Sequence, residues 1–337
     1  MTRQATNSHL QKAKKSKSDE FYTQLCDIER ELQHYTDCFH DKVVYCNCDD
    51  PRVSNFFRYF KDNFHRLGLR KLIASFHIEQ SQDLFLPQTN ERPYYCEYCG
   101  TDDCLEITPF VGDGDFRSTE CVKLLQQSDI VVTNPPFSLF REFVSQIVRH
   151  NKQFLVIGNV NAITYKEIFD LIQKNKVWLG VNLGRGISGF IVPSHYQQYG
   201  TEVSVNENGQ TIIATNGCLW LTNLEQHQRH EDLILTKEYV GNEDYYPTYD
   251  NCNGINVNKT QDIPKDYTGL MGVPITFLHK YNPEQFEIIK FRKGDDGKDL
   301  RINGRCPYFR ILIRNKKLMR HNNNSPLTNR PTRSMNA

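Results

Sequence analysis

The residues of this sequence whose types and spacing could do chemistry stand in "DIVVTNPPFSLF" (129–140). The apolar, β-branched start of this stretch predicts a buried strand, which the prolines end because they have no backbone N–H. The side-chain amide of Asn134 and the backbone carbonyl of Pro135 can each accept one N–H of an aromatic amine. Pro135 and Pro136 fix the direction of that carbonyl, and Phe137 can stack on the ring that carries the amine.

Such a turn would activate the amine as a nucleophile. Holding both N–H groups out of the ring plane returns lone-pair density to the nitrogen, and the matching electrophile is the methyl group of a sulfonium cofactor. The alternative is a plain strand-to-helix turn with proline at the first helical positions. The position of the motif after a predicted buried strand favours methyl transfer to an exocyclic amine.

The elements before and after this turn predict how it is positioned. Strands are predicted over 42–47, 71–78, 105–110, 129–134 and 153–159, and helices over 51–64, 117–127 and 138–150. Their alternation predicts an open, mostly parallel α/β sheet. Ligands of such sheets lie beyond the carboxyl ends of the strands, so we expect Asn134 at the binding edge.

The second half of the chain is richer in loops, glycine, asparagine and tyrosine. We predict a hairpin over 203–215, a last core strand over 218–224, a short helix over 282–291 and a hairpin over 300–314 that turns at Gly304. The predicted organisation is a basic N-terminal segment (1–17), a catalytic core (18–225), a recognition region (226–320) and a disordered polar tail (321–337).

Composition and charge narrow the class of protein. Of the 337 residues, 38% are hydrophobic and 12% aromatic, which is typical of a globular protein. The apolar runs are too short for a membrane span, the N-terminus has no secretory pattern, and the eleven cysteines indicate reduced thiols, so we expect a cytoplasmic protein. Residues 1–17 carry five Lys/Arg and residues 310–337 carry seven, with no acids in either. Basic ends on an acidic body fit an enzyme that binds a polyanion, although solvated tails are the alternative.

The motif and several other segments resemble the EcoRI-type adenine-specific DNA modification methylases. The similar segments include "DEFYTQ", "VVYCNCDDPRVSNFF", "GDGDFRS", "DIVVTNPPFSLF", "WLGVNLGRGISGFIVP" and "CPYFRILI", and they span residues 16 to about 315. The resemblance implies a class I S-adenosylmethionine-dependent methyltransferase fold, Rossmann-like, with a loop-rich, partly β recognition region. It implies methyl transfer from S-adenosyl-L-methionine to N6 of a flipped adenine in double-stranded DNA.

The resemblance further implies the target GAATTC, a type II restriction-modification system, and protection of that site from a cognate endonuclease. We expect a monomer without an obligate protein partner, because each strand of a palindrome can be methylated in a separate event, and we expect no metal requirement.

The resemblance also assigns roles to individual residues. The catalytic turn is Asn134, Pro135, Pro136 and Phe137. The expected cofactor-binding residues are Tyr22, Thr23, Asn47, Asp49, Asp50, Glu79, Asp115 and Phe116. Among these, Asp115 would meet the amino group of the cofactor's adenine and Phe116 its ring, and Glu79 is either the ribose-binding acid or a solvated charge.

The loop after the first strand departs from the family pattern, because "NCDDPRV" contains no glycine. We expect Asp50 to cap the following helix, with Pro51 at its first position. Asn47 and Asp49 are then left for the amino and carboxylate ends of the cofactor's methionine part.

Basic residues outside the core are the candidates for DNA contacts. We expect Lys12, Lys14, Lys15 and Lys17 to lie along DNA phosphates because they directly precede the cofactor motif. "GRGISG" (184–189) fits a dinucleotide fingerprint, but the helix that such a fingerprint needs does not follow, so we interpret it as a tight loop with Arg185 near the DNA backbone.

Two further patterns have plain interpretations. "CEYCGTDDC" supplies Cys96, Cys99 and Cys104 but no fourth ligand at motif spacing, so a free-thiol loop is the better interpretation than a zinc site. We expect His227 and His230 to be surface residues.

Two other functions compete with this hypothesis. An RNA or protein-glutamine methyltransferase can use the same turn, but such enzymes usually have the glycine-rich loop and lack so large a loop-rich second half. A DNA-binding protein with an inactive catalytic domain would bind its site without regard to cofactor and make no product.

Overall fold

The computed structural model describes residues 22–77, 92–101, 103, 105–183, 187–192, 203–206, 209–214, 217–292 and 299–318. The chain forms two compact units that divide after Gln226. In the described ranges no helix is long and apolar enough to cross a membrane. The predicted basic N-terminal segment and the predicted polar tail lie outside the described residues.

The first unit contains twelve strands and six α-helices among its described residues. The strands are β1 (Tyr22–Thr23), β2 (Val43–Asn47), β3 (Lys71–Phe76), β4 (Tyr94–Tyr98), β5 (Glu106–Pro109), β6 (Ile130–Thr133), β7 (Gln153–Asn159), β8 (Trp178–Leu183), β9 (Phe190–Ile191), β10 (Val203–Val205), β11 (Thr211–Ile213) and β12 (Cys218–Thr222). The helices are α1 (Leu25–Leu32), α2 (Asn55–Asp62), α3 (Phe64–Leu67), α4 (Thr119–Gln127), α5 (Phe140–Arg149) and α6 (Lys166–Gln173).

An eight-stranded sheet in the order β5-β4-β3-β2-β6-β7-β12-β8 is the centre of this unit. Its four middle strands, β3, β2, β6 and β7, pair in parallel, while β12 runs antiparallel between β7 and β8. The strands β2 and β6 are buried along their whole length, as expected of parallel strands covered on both faces. The prediction of an open, mostly parallel α/β sheet is confirmed, and β12 is its last strand in chain order.

The strand order places a crevice beside the predicted catalytic turn. From β2 the chain moves outward to β3, and it later returns to the other side of β2 as β6. Such a reversal of strand order is where open α/β sheets bind ligands, beyond the carboxyl ends of the two strands. Asn47 ends β2 and Thr133 ends β6, so the residues that follow them lie at this point.

Large aromatic side chains from helix α2 fill the core on one face of the sheet. Phe56 and Phe60 are fully buried; Phe56 meets Trp220 of β12 edge to face at 6.1 Å, and Phe60 meets Phe39 at 5.1 Å. Each such ring contributes roughly 2–3 kcal/mol of burial free energy. The sheet edge that carries the turn at Asn134 therefore belongs to a densely packed scaffold.

A second, small sheet in the first unit has the order β1-β9-β11-β10, with all pairs antiparallel. Its strands β10 and β11 are the hairpin that the sequence predicts within 203–215. The hairpin pairs with β9 and, through it, with β1, so it belongs to this sheet and not to the eight-stranded one. The small sheet thereby brings Thr23 opposite Phe190.

The second unit is built on a five-stranded sheet in the order β13-β14-β15-β17-β16. These strands are β13 (Thr248–Tyr249), β14 (Cys252–Asn256), β15 (Leu270–Pro274), β16 (Phe286–Arg292) and β17 (Arg310–Asn315). A three-residue 3₁₀ segment, Thr260–Asp262, lies between β14 and β15, and a six-residue one, Ile275–Lys280, lies between β15 and β16.

Two predictions for this unit need correction. The short helix predicted over 282–291 is wrong, because strand β16 occupies its second part and pairs antiparallel with β17 along its length. Phe286 and Ile288 alternate into the core, so pairing between distant segments overrides the local helix-forming residues. The predicted turn at Gly304 exists between Ile302 and Arg305, but its arms do not form a long hairpin, because 310–315 pairs with β15 and β16 instead.

Candidate active site

The turn that follows β6 keeps its prolines outside the helix. Pro136 has an extended conformation (ψ 121°), a short 3₁₀ segment covers Phe137–Leu139, and helix α5 begins only at Phe140. Neither proline therefore occupies the first position of an α-helix, which weakens the alternative of a plain strand-to-helix turn. The amide oxygen Oδ1 of Asn134 is buried at this turn.

A hydrogen-bonded bridge joins the turn to the loop after β2. The fully buried hydroxyl of Thr133, the residue before Asn134, contacts both the carbonyl oxygen of Asn47 and Oδ2 of Asp49, the latter at 2.5 Å. The other carboxyl oxygen of Asp49 accepts from Ser54 Oγ at 2.7 Å. The bridge therefore ties the ends of the two central strands to each other.

The protonation of Asp49 follows from this geometry. Burial of its side chain raises the pKa of Asp49 to about 7, although the hydrogen bonds from Thr133 and Ser54 act in the opposite direction. The Thr133 hydroxyl has a single hydrogen but lies against two acceptors. When Asp49 is neutral its own O–H supplies the second hydrogen, so Thr133 can donate to Asn47 while it accepts from Asp49.

The loop after β2 makes its turn without glycine. Cys48 has φ 68°, the left-handed conformation that glycine usually supplies. The N–H of Asp49 donates to the carbonyl of Ser75 at 3.0 Å, and Oδ1 of Asn47 accepts from Ser75 Oγ at 3.2 Å. Hydrogen bonds to the neighbouring strand β3 thus hold a loop whose backbone is locally strained.

The capping residue of helix α2 differs from the prediction. Ser54 is the N-cap, and its hydroxyl accepts from the N–H groups of Phe56 and Phe57 at 3.1 and 3.2 Å. Asp50 cannot cap the helix because an intervening turn delays the first helical residue to Asn55. Its carboxylate instead binds the guanidinium of Arg52, at 2.7 Å to Nη2, and accepts from the hydroxyl of Tyr94 at 3.0 Å.

The segment of Asp115 and Phe116 lies beside the same loop. The hydrogen bond from Arg117, at 2.6 Å, lowers the pKa of Asp115 and keeps its carboxylate ionised. Arg117 also pairs with Glu142 in the first turn of α5 at 3.3 Å. Phe116 is buried and packs edge to face on a ring of α5, so its predicted contact with a cofactor ring stays a prediction, as does that of Asp115.

Strand β1 reaches this region through helix α2. The carbonyl of Thr23 accepts from Asn55 Nδ2 at 2.8 Å, one residue after the N-cap Ser54. Thr23 Oγ1 is buried and has no hydrogen-bond partner within the described part of the chain, which fits a place for a polar ligand group. Tyr22 and Asn55 line an open cavity of about 1220 Å³ next to it.

Phe137 is supported from the small sheet. Its ring is half-buried and lies 6.1 Å from the ring of Phe190 in β9, whose backbone is opposite Thr23. A closed series of contacts therefore runs from Thr23 through the N-terminus of α2, Asp49 and Thr133 to the catalytic turn, and back through Phe190. Thr133, Ser54 and Phe190 were not predicted. Only Thr133 had a sequence signal, its place directly before the motif.

Several residues that were predicted to bind the cofactor or DNA, or were weighed as metal ligands, fall on parts of the chain that the structure does not describe. The residues Lys12, Lys14, Lys15, Lys17, Glu79, Arg185 and Cys104 lie outside the described residues. Cys96 and Cys99 are free thiols, and no cluster of three or more metal-ligating side chains occurs within the described ranges. His227 and His230 are exposed, as predicted.

Comparison with known proteins places the chain among enzymes. A family model described as "Adenine-specific methyltransferase EcoRI" matches residues 9–316. The chain is 63% identical to the type II methyltransferase M.EcoRI of Escherichia coli over 326 residues, which are 95% of this chain and all of that protein. It is 38% identical to M.MgeORF184P of Mycoplasma genitalium and 38% identical to M.MpnI of Mycoplasma pneumoniae, in each case over 92% of this chain and at least 98% of the relative. No solved structure matches the chain.

Proposed function

Since the chain belongs to the EcoRI family of adenine-specific methyltransferases, we propose that it methylates N6 of an adenine in the DNA sequence GAATTC, with S-adenosyl-L-methionine as the methyl donor. Its eight-stranded sheet is that of a class I methyltransferase. The observation that carries the proposal is the position of Asn134 at the reversal of strand order, where the Thr133 bridge fixes it.

The turn acts by orienting the reacting amine. Asn134 Oδ1 and the carbonyl of Pro135 accept the two N6 hydrogens, which turns the nitrogen lone pair toward the methyl donor. The donor supplies an electrophilic methyl group on a positively charged sulfur. On transfer the bond between the methyl carbon and the sulfur would break and leave a neutral thioether, and the methylated nitrogen would release one hydrogen as a proton to solvent. Phe137 stacks on the base, which must leave the duplex because N6 is inaccessible inside it.

Seven of the predicted residues are proposed to bind the cofactor: Tyr22, Thr23, Asn47, Asp50, Glu79, Asp115 and Phe116. The hydroxyl of Thr23, which has no hydrogen-bond partner among the described residues, and the ionised carboxylate of Asp115 suit the amino and hydroxyl groups of such a ligand. Asp49, by contrast, uses both of its oxygens within the bridge, so its part is to hold the loop.

The proposed partner is double-stranded DNA, which the basic residues Lys12, Lys14, Lys15, Lys17 and Arg185 contact at phosphates. A monomer suffices, because the two strands of a palindrome can be modified in separate events. Within a type II restriction-modification system, the methyl group protects the site from the cognate endonuclease.

Transfer of radiolabelled methyl groups to two duplexes, one with GAATTC and one with its central bases scrambled, tests the proposal. Asn134→Ala is the test variant and Asn151→Gly is its control. Asn151 is exposed, lies past the C-terminal end of α5 and has a positive φ (53°) that suits glycine. Label on the GAATTC duplex alone, lost in Asn134→Ala and kept in Asn151→Gly, is the expected result.

Other outcomes decide against parts of the proposal. Equal label on both duplexes would refute GAATTC as the target but support DNA methylation. Label on RNA or on protein glutamine, with none on DNA, would show that the substrate is not DNA. Cofactor-independent binding of GAATTC without any labelled product identifies a DNA-binding protein with an inactive catalytic domain.

A further inference from the structure

A rigid, basic and aromatic surface in the second unit has no part in the chemistry described above. Arg292, Arg301 and Tyr308 line an open cavity of about 620 Å³. We call these three residues the Tyr308 surface. The Tyr308 side chain is a large aromatic ring that is 74% exposed.

Arg301 and Tyr308 belong to one segment, residues 299–318. Side chains from the loop between β13 and β14 hold the backbone of this segment at one end. The carboxylate of Asp250 accepts from two consecutive N–H groups of the turn, those of Asn303 at 3.1 Å and Gly304 at 2.8 Å. The next residue, Asn251, accepts from the N–H of Arg301 at 3.1 Å. The backbone that carries Arg301 is therefore fixed to the loop between β13 and β14.

A buried arginine holds the other end. Arg310 is only 9% exposed; its Nη1 donates to the carbonyls of Tyr308 at 2.9 Å and Phe309 at 3.2 Å, and its Nε donates to Asn256 Oδ1 at 2.9 Å. The Tyr308 ring lies against the ring of Phe309 at 4.5 Å, with 31° between their planes. Tyr308 is thus exposed but fixed in place.

The residues around this surface carry more basic than acidic groups, although Arg310 is buried and Lys317 pairs with Asp232. Residues 299–318 contain six Lys/Arg and a single acid, Asp299, which is itself buried. Excess positive charge beside an exposed aromatic ring is complementary to nucleic acid, whose phosphates are negative and whose bases are flat.

Fixed geometry distinguishes two ways of binding a duplex. Phosphate contacts need only nearby positive charge, which flexible lysines on mobile segments supply equally well. Contacts to base edges need donors held in place, since an arginine reads guanine through two parallel hydrogen bonds and an apolar ring reads the thymine methyl group. The hydrogen bonds at both ends of the segment fix the backbone that carries Arg301 and Tyr308, which is what the second way of binding needs.

Resting on the function proposed above, we propose that the Tyr308 surface reads bases of the GAATTC target in the duplex. Arg301 supplies the paired donors and Tyr308 the apolar contact. Arg310 is a positioning residue, because it acts on the backbone of Tyr308 and not on DNA.

The test measures equilibrium binding of the full-length protein to fluorescent GAATTC and scrambled duplexes, with titrations at several salt concentrations. Arg301→Lys keeps the charge but removes the paired donors, and Tyr308→Ala removes the exposed ring. Lys265→Ala is the control, since it removes an exposed cation of the same unit that pairs with Glu238 at 2.7 Å and does not line the cavity.

We expect Arg301→Lys and Tyr308→Ala each to lower the preference for GAATTC over the scrambled duplex on the order of 10- to 100-fold. Both variants should bind the scrambled duplex with the affinity and the salt dependence of the wild type. That result would also show that the variants are folded. Lys265→Ala should leave the preference unchanged.

Equal losses on both duplexes would show that the surface binds phosphates only and would overturn the proposal, as would an unchanged preference in both variants. Failure of the underlying function is separately visible, because the wild type itself would then bind the two duplexes equally.

Discussion

Replacing Asp49 by asparagine removes the one ionisable group of the bridge and keeps its hydrogen bonds. An asparagine can accept from Ser54 through Oδ1 and donate to Thr133 through Nδ2, as the neutral acid does. The buried carboxyl has a pKa of about 7, above the ordinary value of 3.8, so the folded protein binds its proton more tightly than the unfolded chain. This contribution to stability is complete below about pH 4 and is lost as the pH rises to about 7.

The magnitude follows from the difference between the two pKa values. Each tenfold change in proton affinity corresponds to about 1.4 kcal/mol, so the whole contribution is about 4 kcal/mol. Of this, roughly 3 kcal/mol is lost between pH 5 and pH 8. The free energy of unfolding of the wild type should fall by that amount relative to Asp49→Asn, in which residue 49 does not titrate.

Urea unfolding of both proteins at pH 5, 6, 7 and 8 measures this difference. Asp27 and Glu31 are also buried acids with raised pKa values, but they are present in both proteins and cancel in the comparison. Parallel pH profiles for wild type and Asp49→Asn would refute the reasoning, because they would mean that Asp49 has the same proton affinity folded and unfolded.

Three further substitutions test the scaffold and the turn. Thr133→Val leaves the Asn47 carbonyl and the Asp49 carboxyl without their hydroxyl partner and should lower the free energy of unfolding by about 1–3 kcal/mol. Thr133→Ser should recover most of this loss in the same urea titration. In Gly180→Ala the new Cβ would lie 2.5 Å from Trp220 Cβ, so we expect the free energy of unfolding to fall by about 1–3 kcal/mol. Gly217→Ala is the control and should change it little, because the nearest atom to its new Cβ is 3.7 Å away. Thermal unfolding of the two variants measures the difference. Phe137→Ala should weaken binding of the flipped base by about 1–3 kcal/mol. With 2-aminopurine in place of the target adenine, the wild type should increase its fluorescence on binding and the variant should not. A wild-type increase in the variant would contradict the stacking role.

The parts of the fold that the sequence predicted are those where burial is continuous along the chain. Strands β2, β6 and β7 are buried on both faces, so their residues form unbroken apolar runs that identify them. The position of the turn at Asn134 was predicted for the same reason, since Asn134 follows one of these runs directly, and its catalytic role is a proposal.

Features that depend on distant partners could not be predicted. The bridge between Thr133 and Asp49 requires β2 and β6 to be neighbours, and 84 residues separate the two side chains. The sequence "DDPRVSN" contains both an acid before proline and a serine, and only the tertiary turn at Pro51 decides that Ser54 is the cap. The edge strand β8 was not predicted as a strand, because its place depends on pairing with β12.

The acids of helix α1 impose an order on biosynthesis. Asp27 and Glu31 are completely buried, yet their hydrogen-bond donors, Ser188 and Asn182, follow 161 and 151 residues later. Tyr35 and Arg30 are nearby partners of these carboxylates, but a ribosome releases helix α1 long before the distant donors exist. Because burying a carboxyl group without all of its hydrogen-bond partners is unfavourable, we expect α1 to dock fully only after the segment around Asn182 and Ser188 has emerged. Helix α1 should then be among the last elements of the first unit to reach its final place, and we expect a truncated translation product ending before Asn182 to leave it undocked.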